Sequence, residues 1–182
     1  MNKSASEDLT LRDTGPKGLG VFAARNFGSG ERVLRFEGTL LQAQSVADFT
    51  HAIQVDADRF LGPSGGMDDY VNHSCAPNCR LVSTPPGLEL FALRPIMSGE
   101  ELSFDYSTCL VFEPSLPLCF CGTERCRGRI DAFWSLAPAV RRRYREQSAV
   151  PGFVLASRPV RRVARHSAPL LQAAAFQRRR AE

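Results

Sequence analysis

Two absences narrow this 182-residue chain before any motif is considered. No apolar run follows Met1-Asn2-Lys3, and no segment approaches the roughly 18 consecutive apolar residues that a membrane span requires. They predict a protein that is not secreted, has no membrane partner, and works in the cytoplasm, or in the nucleus if the source is eukaryotic. Lysine is scarce too. Only Lys3 and Lys17 occur, so arginine carries nearly all the positive charge, a bias that reads as genome composition before function.

Long helical patterns are also few. From Leu11 onward, short apolar runs alternate with Gly, Pro and Ser: 20–24, 32–36, 51–55, 88–93 and 101–106. Several are rich in β-formers and few are long enough for a helix, so the chain reads as mainly β, built of short strands. At 43% hydrophobic it can bury one core of ordinary domain size, with appendages. Two segments resemble each other, Arg25–Val33 and Arg94–Leu102, each running through Ser-Gly-Glu. Val46–Phe49 is expected as one helical turn. Asp131 is expected to N-cap 132–136, with a second helix over Val140–Gln147, broken near Pro138 and stopped at Pro151-Gly152.

The net charge of +4 is unevenly spread. Seven arginines (158, 161, 162, 165, 178, 179 and 180) and Glu182 make the last 25 residues +6, leaving −2 for everything before them. Such a tail is either a solvated basic extension or a contact for nucleic acid or another polyanion.

Six cysteines in a chain without an export signal point to metal before disulfides. Cys119, Cys121 and Cys126 supply three closely spaced thiolates, and structural zinc takes four. Cys79, which closes the polar run Asn72-His73-Ser74-Cys75-Ala76-Pro77-Asn78-Cys79, is the candidate fourth ligand, leaving Cys75 and Cys109 over. A disulfide framework or plain buried thiols are the other reading. Gly18-x-Gly20 reads as a turn whose backbone a ligand can approach closely; no third glycine or βαβ pattern makes it a dinucleotide fingerprint. Asn72 and His73 offer an amide and an imidazole for hydrogen bonding.

Taken together and in order, Gly18-Leu19-Gly20, Asn72-His73-Ser74-Cys75, Glu101–Tyr106 and Cys-x-Cys-x4-Cys resemble the SET domain of protein-lysine methyltransferases with its post-SET zinc motif. The resemblance implies a compact, β-clip-like SET fold with a pseudo-knot. It divides the chain into a disordered 1–10, a SET domain at 11–114, a post-SET zinc loop at 115–131, a helical extension at 132–157 and the Arg-rich tail at 158–182. It further implies S-adenosylmethionine and Zn2+ as cofactors and a protein lysine as substrate. Lys17, Gly18, Leu19, Gly20, Tyr70, Asn72, His73 and Phe120 would border the methyl donor. Tyr106 would be catalytic, and Phe36, Phe104 and Tyr106 would line the lysine channel. Phe104 is expected on Tyr106's side of one strand, and its lack of a hydroxyl implies di- or trimethyllysine as product. Asp69 stands where the family commonly has Arg, and Phe36 where it often has Tyr. Other readings are a SET-fold binding module without turnover and a zinc-containing, nucleic-acid-associated protein using the basic tail. No reader domain or pre-SET cysteine array accompanies the motifs.

Overall fold

A computed structural model describes residues 7–84, 87–112, 114 and 118–157. Ten short strands occur in it, with few and short helices, as the apolar runs imply. A first hairpin pairs β1 (Leu9–Asp13) antiparallel with β2 (Leu19–Ala23). β1 thus includes Leu9 and Thr10, inside the stretch expected to be disordered. After β3 (Arg32–Phe36), a second sheet joins β4 (Leu40–Gln42), β5 (Ile53–Gln54) and β6 (Arg59–Leu61) in the order β4-β6-β5. The short β7 (Asn72–His73) leads to β8 (Cys79–Thr84) and β9 (Gly87–Ala92), which form a sheet with β3 in the order β3-β9-β8. The last strand, β10 (Ser103–Phe104), pairs in parallel with β7, matching Ser103 to Asn72 and Phe104 to His73. That pairing joins two motifs thirty residues apart in sequence.

Strand alternation builds the core. In β9, Leu88, Leu90 and Ala92 are buried while Glu89 and Phe91 are half-exposed, the two-residue period of a one-sided sheet. They pack with Val21, Phe27, Leu81, Ile96 and Leu102.

The two similar segments pair with each other. Phe27 and Ile96 exchange backbone hydrogen bonds of 2.9 and 3.0 Å. Each segment closes through its glutamate: Glu31 accepts from the Gly28 N–H and pairs with Arg25, and Glu100 accepts from the Met97 N–H and pairs with Arg94. Gly30 and Gly99 hold φ of +77° and +90°, the left-handed region where a side chain is strained.

Three local expectations shift. The helical turn near Val46 lies earlier, a 3-10 turn at Ala43–Ser45. Asp131 does not cap the Phe133–Ser135 turn, because its carboxylate pairs with Arg129. Pro138 starts α1 (Pro138–Glu146) instead of breaking it, and Pro151 precedes α2 (Gly152–Ala156) instead of stopping a helix. A proline in the first turn loses nothing, since its missing N–H has no intrahelical partner there. α1 and α2 share a smaller apolar cluster of Val111, Phe133, Leu136, Tyr144, Val150 and Val154.

Candidate active site and cysteine centre

The β1–β2 turn comes first. Gly18 has φ +75°, so the turn needs glycine there for backbone reasons. Gly20 is required for space: a Cβ at that position would lie 2.8 Å from Asn72 Nδ2, Glu101 Oε1 and Thr14 Cγ2. Asn72, delivered by β7, donates to the Leu19 carbonyl at 3.1 Å and to Glu101 at 2.9 Å, and Glu101 in turn holds Lys17. Lys17, Leu19, Gly20 and Asn72 are therefore one unit, with Glu101 its centre. A polar cleft of about 180 Å³ opens beside it, lined by Lys17, Ser74, Asn78, Glu101, Cys121 and Thr123.

Tyr106 sits where the parallel pair ends. β10 stops at Phe104, and Tyr106 opens a 3-10 turn, Tyr106–Thr108, so it does not continue the strand as expected. The rings nonetheless meet: Phe104 and Tyr106 lie 4.9 Å apart and Phe36 is 5.9 Å from Phe104. The Tyr106 hydroxyl donates to the Val71 carbonyl at 2.7 Å, and burial pushes its pKa well above the ordinary phenol range. Tyr106 is a neutral hydrogen-bonding group.

His73 is pushed down to about 4, chiefly by burial, against the opposing pull of Asp105. The neutral ring accepts from the Tyr106 N–H at Nδ1 (3.2 Å), which leaves the proton on Nε2, 3.4 Å from Cys75 Sγ. His73 thus links Tyr106 to the cysteines.

The cysteine centre differs from the expected one in a single ligand. The sulfurs of Cys75, Cys119, Cys121 and Cys126 all lie within 4.8 Å of one another, with Cys75–Cys119 and Cys119–Cys126 at 3.7 Å. A tetrahedron with Zn–S bonds of about 2.3 Å has edges of about 3.8 Å, so four thiolates in this arrangement fit zinc. Cys79 is elsewhere. As the first residue of β8 it shares the inward face with Leu81 and is 1% exposed in the main core, where burial raises its pKa to about 12. Strand parity takes its side chain away from the cluster. Cys75 precedes the strand and turns toward Cys119. Burial lifts the Cys75 thiol to about 11 without a metal, so ligation has to displace a proton.

Asp105, passed over in the sequence reading, is the most connected buried charge. It is 1% exposed, accepts a bidentate pair from Arg127 (2.7 and 2.9 Å), the Tyr144 hydroxyl (2.6 Å) and the Ser107 N–H (3.0 Å), and caps the Tyr106 turn. Burial works against its ionised form, but Arg127, His73 and Tyr144 outweigh it and hold the carboxyl below its usual range. An acid between two aromatics, Phe104 and Tyr106, was the available signal. The Arg127 N–H also donates to Cys75 Sγ at 3.4 Å, so one residue ties the cysteine loop to this carboxylate.

Two expected donor-site residues are less engaged. Tyr70 is half-buried with its ring 5.4 Å from His51, and Phe120 is 58% exposed without a ring contact among the described aromatics. Asp69 has local work: its carboxylate accepts from the Ser64 and Gly65 N–H groups at 2.9 and 2.8 Å.

Known proteins resemble this chain in sequence and in fold. The chain is 27% identical over 134 residues to the histone-lysine N-methyltransferase ASHH2 of Arabidopsis thaliana, covering 64% of this chain and 8% of that protein. It is 32% identical over 127 residues to the histone-lysine N-methyltransferase trr of Drosophila melanogaster, covering 61% and 5%. With the probable histone-lysine N-methyltransferase set-23 of Caenorhabditis elegans it shares 29% over 133 residues, covering 61% and 54%. It therefore spans from about a twentieth to about half of these relatives. Among solved structures, the methyltransferase domain of human SETMAR superposes with a TM-score of 0.57 at 24% identity, over 68% of this chain and 58% of that one. KRYPTONITE in complex with mCHH DNA, an H3(1-15) peptide and SAH gives 0.57 at 23%, over 67% and 29%. Residues 18–107 match the SET domain family, and through them this chain belongs to it.

Proposed function

We propose that the protein transfers methyl groups from S-adenosylmethionine to the side-chain amine of a lysine in a protein substrate. The observation that carries this reading is the β7–β10 pairing, which joins the strand that bears Asn72, with Glu101 and Gly20 beside it, to the strand that bears Phe104, with Phe36 and Tyr106 beside it. When bound, the cofactor supplies an electrophilic methyl on a cationic sulfur.

The chain's own residues do the positioning. Lysine with a pKa of about 10.4 is neutral at pH 7 only about one part in 10^3.4, a cost near 4.6 kcal/mol. The apolar rings of Phe36 and Phe104 favour the neutral amine by desolvation. The Tyr106 hydroxyl, kept protonated by burial, orients the amine lone pair toward the methyl carbon. Tyr106 is a catalytic hydrogen-bonding residue in this reading, not a general base. Neither Phe36 nor Phe104 carries a hydroxyl to hold the amine after the first transfer, which supports di- or trimethyllysine as the main product.

Cys75, Cys119, Cys121 and Cys126 would hold zinc, whose binding supplies folding free energy to the loop that carries three of them. Phe120, between two of the ligands, would then be carried toward the cofactor or the lysine channel. The relatives' names make a histone lysine the first substrate to try. Nucleic-acid contact through the Arg-rich tail rests on its charge alone, because residues 158–182 lie outside the described residues. No helix among the described residues is long and apolar enough to cross a membrane.

The test is labelled-cofactor transfer to histones and to lysate protein by wild type, Asn72→Ala and Tyr106→Phe, with calorimetric cofactor binding on the same preparations. Transfer lost in Tyr106→Phe with binding kept, and binding weakened in Asn72→Ala, is the expected pattern. Cofactor binding by wild type without transfer to any protein would make the domain a binding module.

A further inference from the structure

The 132–157 unit has its own apolar cluster, and at its centre stands Tyr144, 1% exposed. Its hydroxyl leaves that cluster and donates to Asp105 Oδ2 at 2.6 Å. Asp105 immediately precedes Tyr106 and caps its turn: Oδ1 accepts from the Ser107 N–H, and the backbone carbonyl accepts from the Thr108 N–H and hydroxyl at 2.9 and 2.7 Å. Arg127 holds the carboxylate from the cysteine loop and Tyr144 holds it from the helical unit.

We propose that Tyr144 is a positioning residue for the Tyr106 turn, which makes the C-terminal helical unit a working part of the active site. This rests on the methyl-transfer reading above. A phenylalanine would fill the apolar cluster equally well, so the hydroxyl serves Asp105. Without it, Oδ2 is left to Arg127 alone, and the carboxylate is drawn toward the guanidinium and away from the Ser107 N–H. The cap of the Tyr106 turn loosens, and the hydroxyl that aligns the amine loses its fixed place.

The experiment compares Tyr144→Phe with wild type in two independent arms. In amide hydrogen exchange, Ser107 and Thr108 should exchange roughly tenfold faster or more, the loss expected for one hydrogen bond to a charged group, while β8 and β9 amides are unchanged. In turnover, kcat should fall about fivefold or more, with the cofactor KM within about twofold and calorimetric stoichiometry still one per chain. The same change in an Asp105→Asn background should alter kcat by less than about twofold, because the two residues act through one contact. Exchange at Ser107 and Thr108 within twofold of wild type overturns the proposal. So does an equal loss of kcat in both backgrounds, the mark of a merely structural role. If Asp105→Asn does not fold, the exchange arm decides. Wild type that transfers no methyl group defeats the methyl-transfer reading, and the exchange arm still decides whether Tyr144 sets the turn.

Discussion

Gly20→Ala is the sharpest test of how the β1–β2 turn is built. Gly20 and Gly18 look equivalent in the motif, yet the two glycines serve different ends. An added Cβ at Gly20 would lie 2.8 Å from three atoms, of Asn72, Glu101 and Thr14, whereas at Gly18 nothing lies within 4 Å and only the φ of +75° resists a side chain. Opening three contacts from 2.8 Å to ordinary separations of about 3.5 Å moves each neighbour by about 0.7 Å, overpacking that costs about 1–3 kcal/mol. The same movement breaks the Asn72–Glu101 and Asn72–Leu19 hydrogen bonds, worth about 0.5–1.5 kcal/mol each. Together these come to about 2–6 kcal/mol, or about 4–24 °C in Tm for a domain of this size. Gly18→Ala carries only backbone strain, of order 1 kcal/mol. Thermal unfolding and calorimetric binding of the methyl donor on both variants provide the measurement. Gly20→Ala should be the less stable and the weaker binder, and Asn72→Ala added to it should restore part of the stability by removing one of the colliding groups. A Gly20→Ala protein as stable as Gly18→Ala, or no rescue by Asn72→Ala, would refute the claim that these side chains set the requirement for glycine.

Metal analysis should find one zinc per chain in wild type, lost in Cys75→Ser and kept in Cys79→Ser; the reverse pattern would mean that the sulfurs grouped here are not the ligands. Phe104→Tyr should shift intact-mass product distributions toward monomethyllysine, since a hydroxyl beside Tyr106 can hold the amine after one transfer; a wild type that itself stops at one methyl under excess cofactor would remove Phe104 from that role. Asp105→Asn should destabilise by about 3 kcal/mol near pH 7, because it leaves Arg127 largely buried without its counter-charge. The Asp105 carboxyl titrates below its unfolded value of about 3.9, so its contribution is complete above that pH and is lost as pH falls through the lower folded value. The stability gap between wild type and Asp105→Asn should therefore be constant from about pH 7 to 5 and shrink toward pH 2, and a gap that does not change with acid would show that the ion pair is not what stabilises the site.

Much of this was readable from the chain alone. The short strands are written in runs of β-formers cut by Gly and Pro, and β3 falls on Arg32–Phe36 as expected. The likeness between Arg25–Val33 and Arg94–Leu102 was visible as a repeated Ser-Gly-Glu, since both turns need a left-handed glycine and a glutamate to close them. The candidate residues Gly18, Asn72, His73 and Tyr106 lie in motifs short enough for sequence order to carry them.

What the tertiary structure decided depends on direction and on distant pairing. Whether Cys75 or Cys79 joins the cluster turns on which side of a strand start each side chain leaves, and β8 begins where alternation sends Cys79 into the core with Leu81. The partners of Asp105, at Arg127 and Tyr144, lie 22 and 39 residues away, beyond the reach of any local pattern. Burial of that carboxylate makes the pairing necessary, and burial belongs to the folded chain, where one ionised group in a dry interior must find its counter-charge wherever the fold brings it.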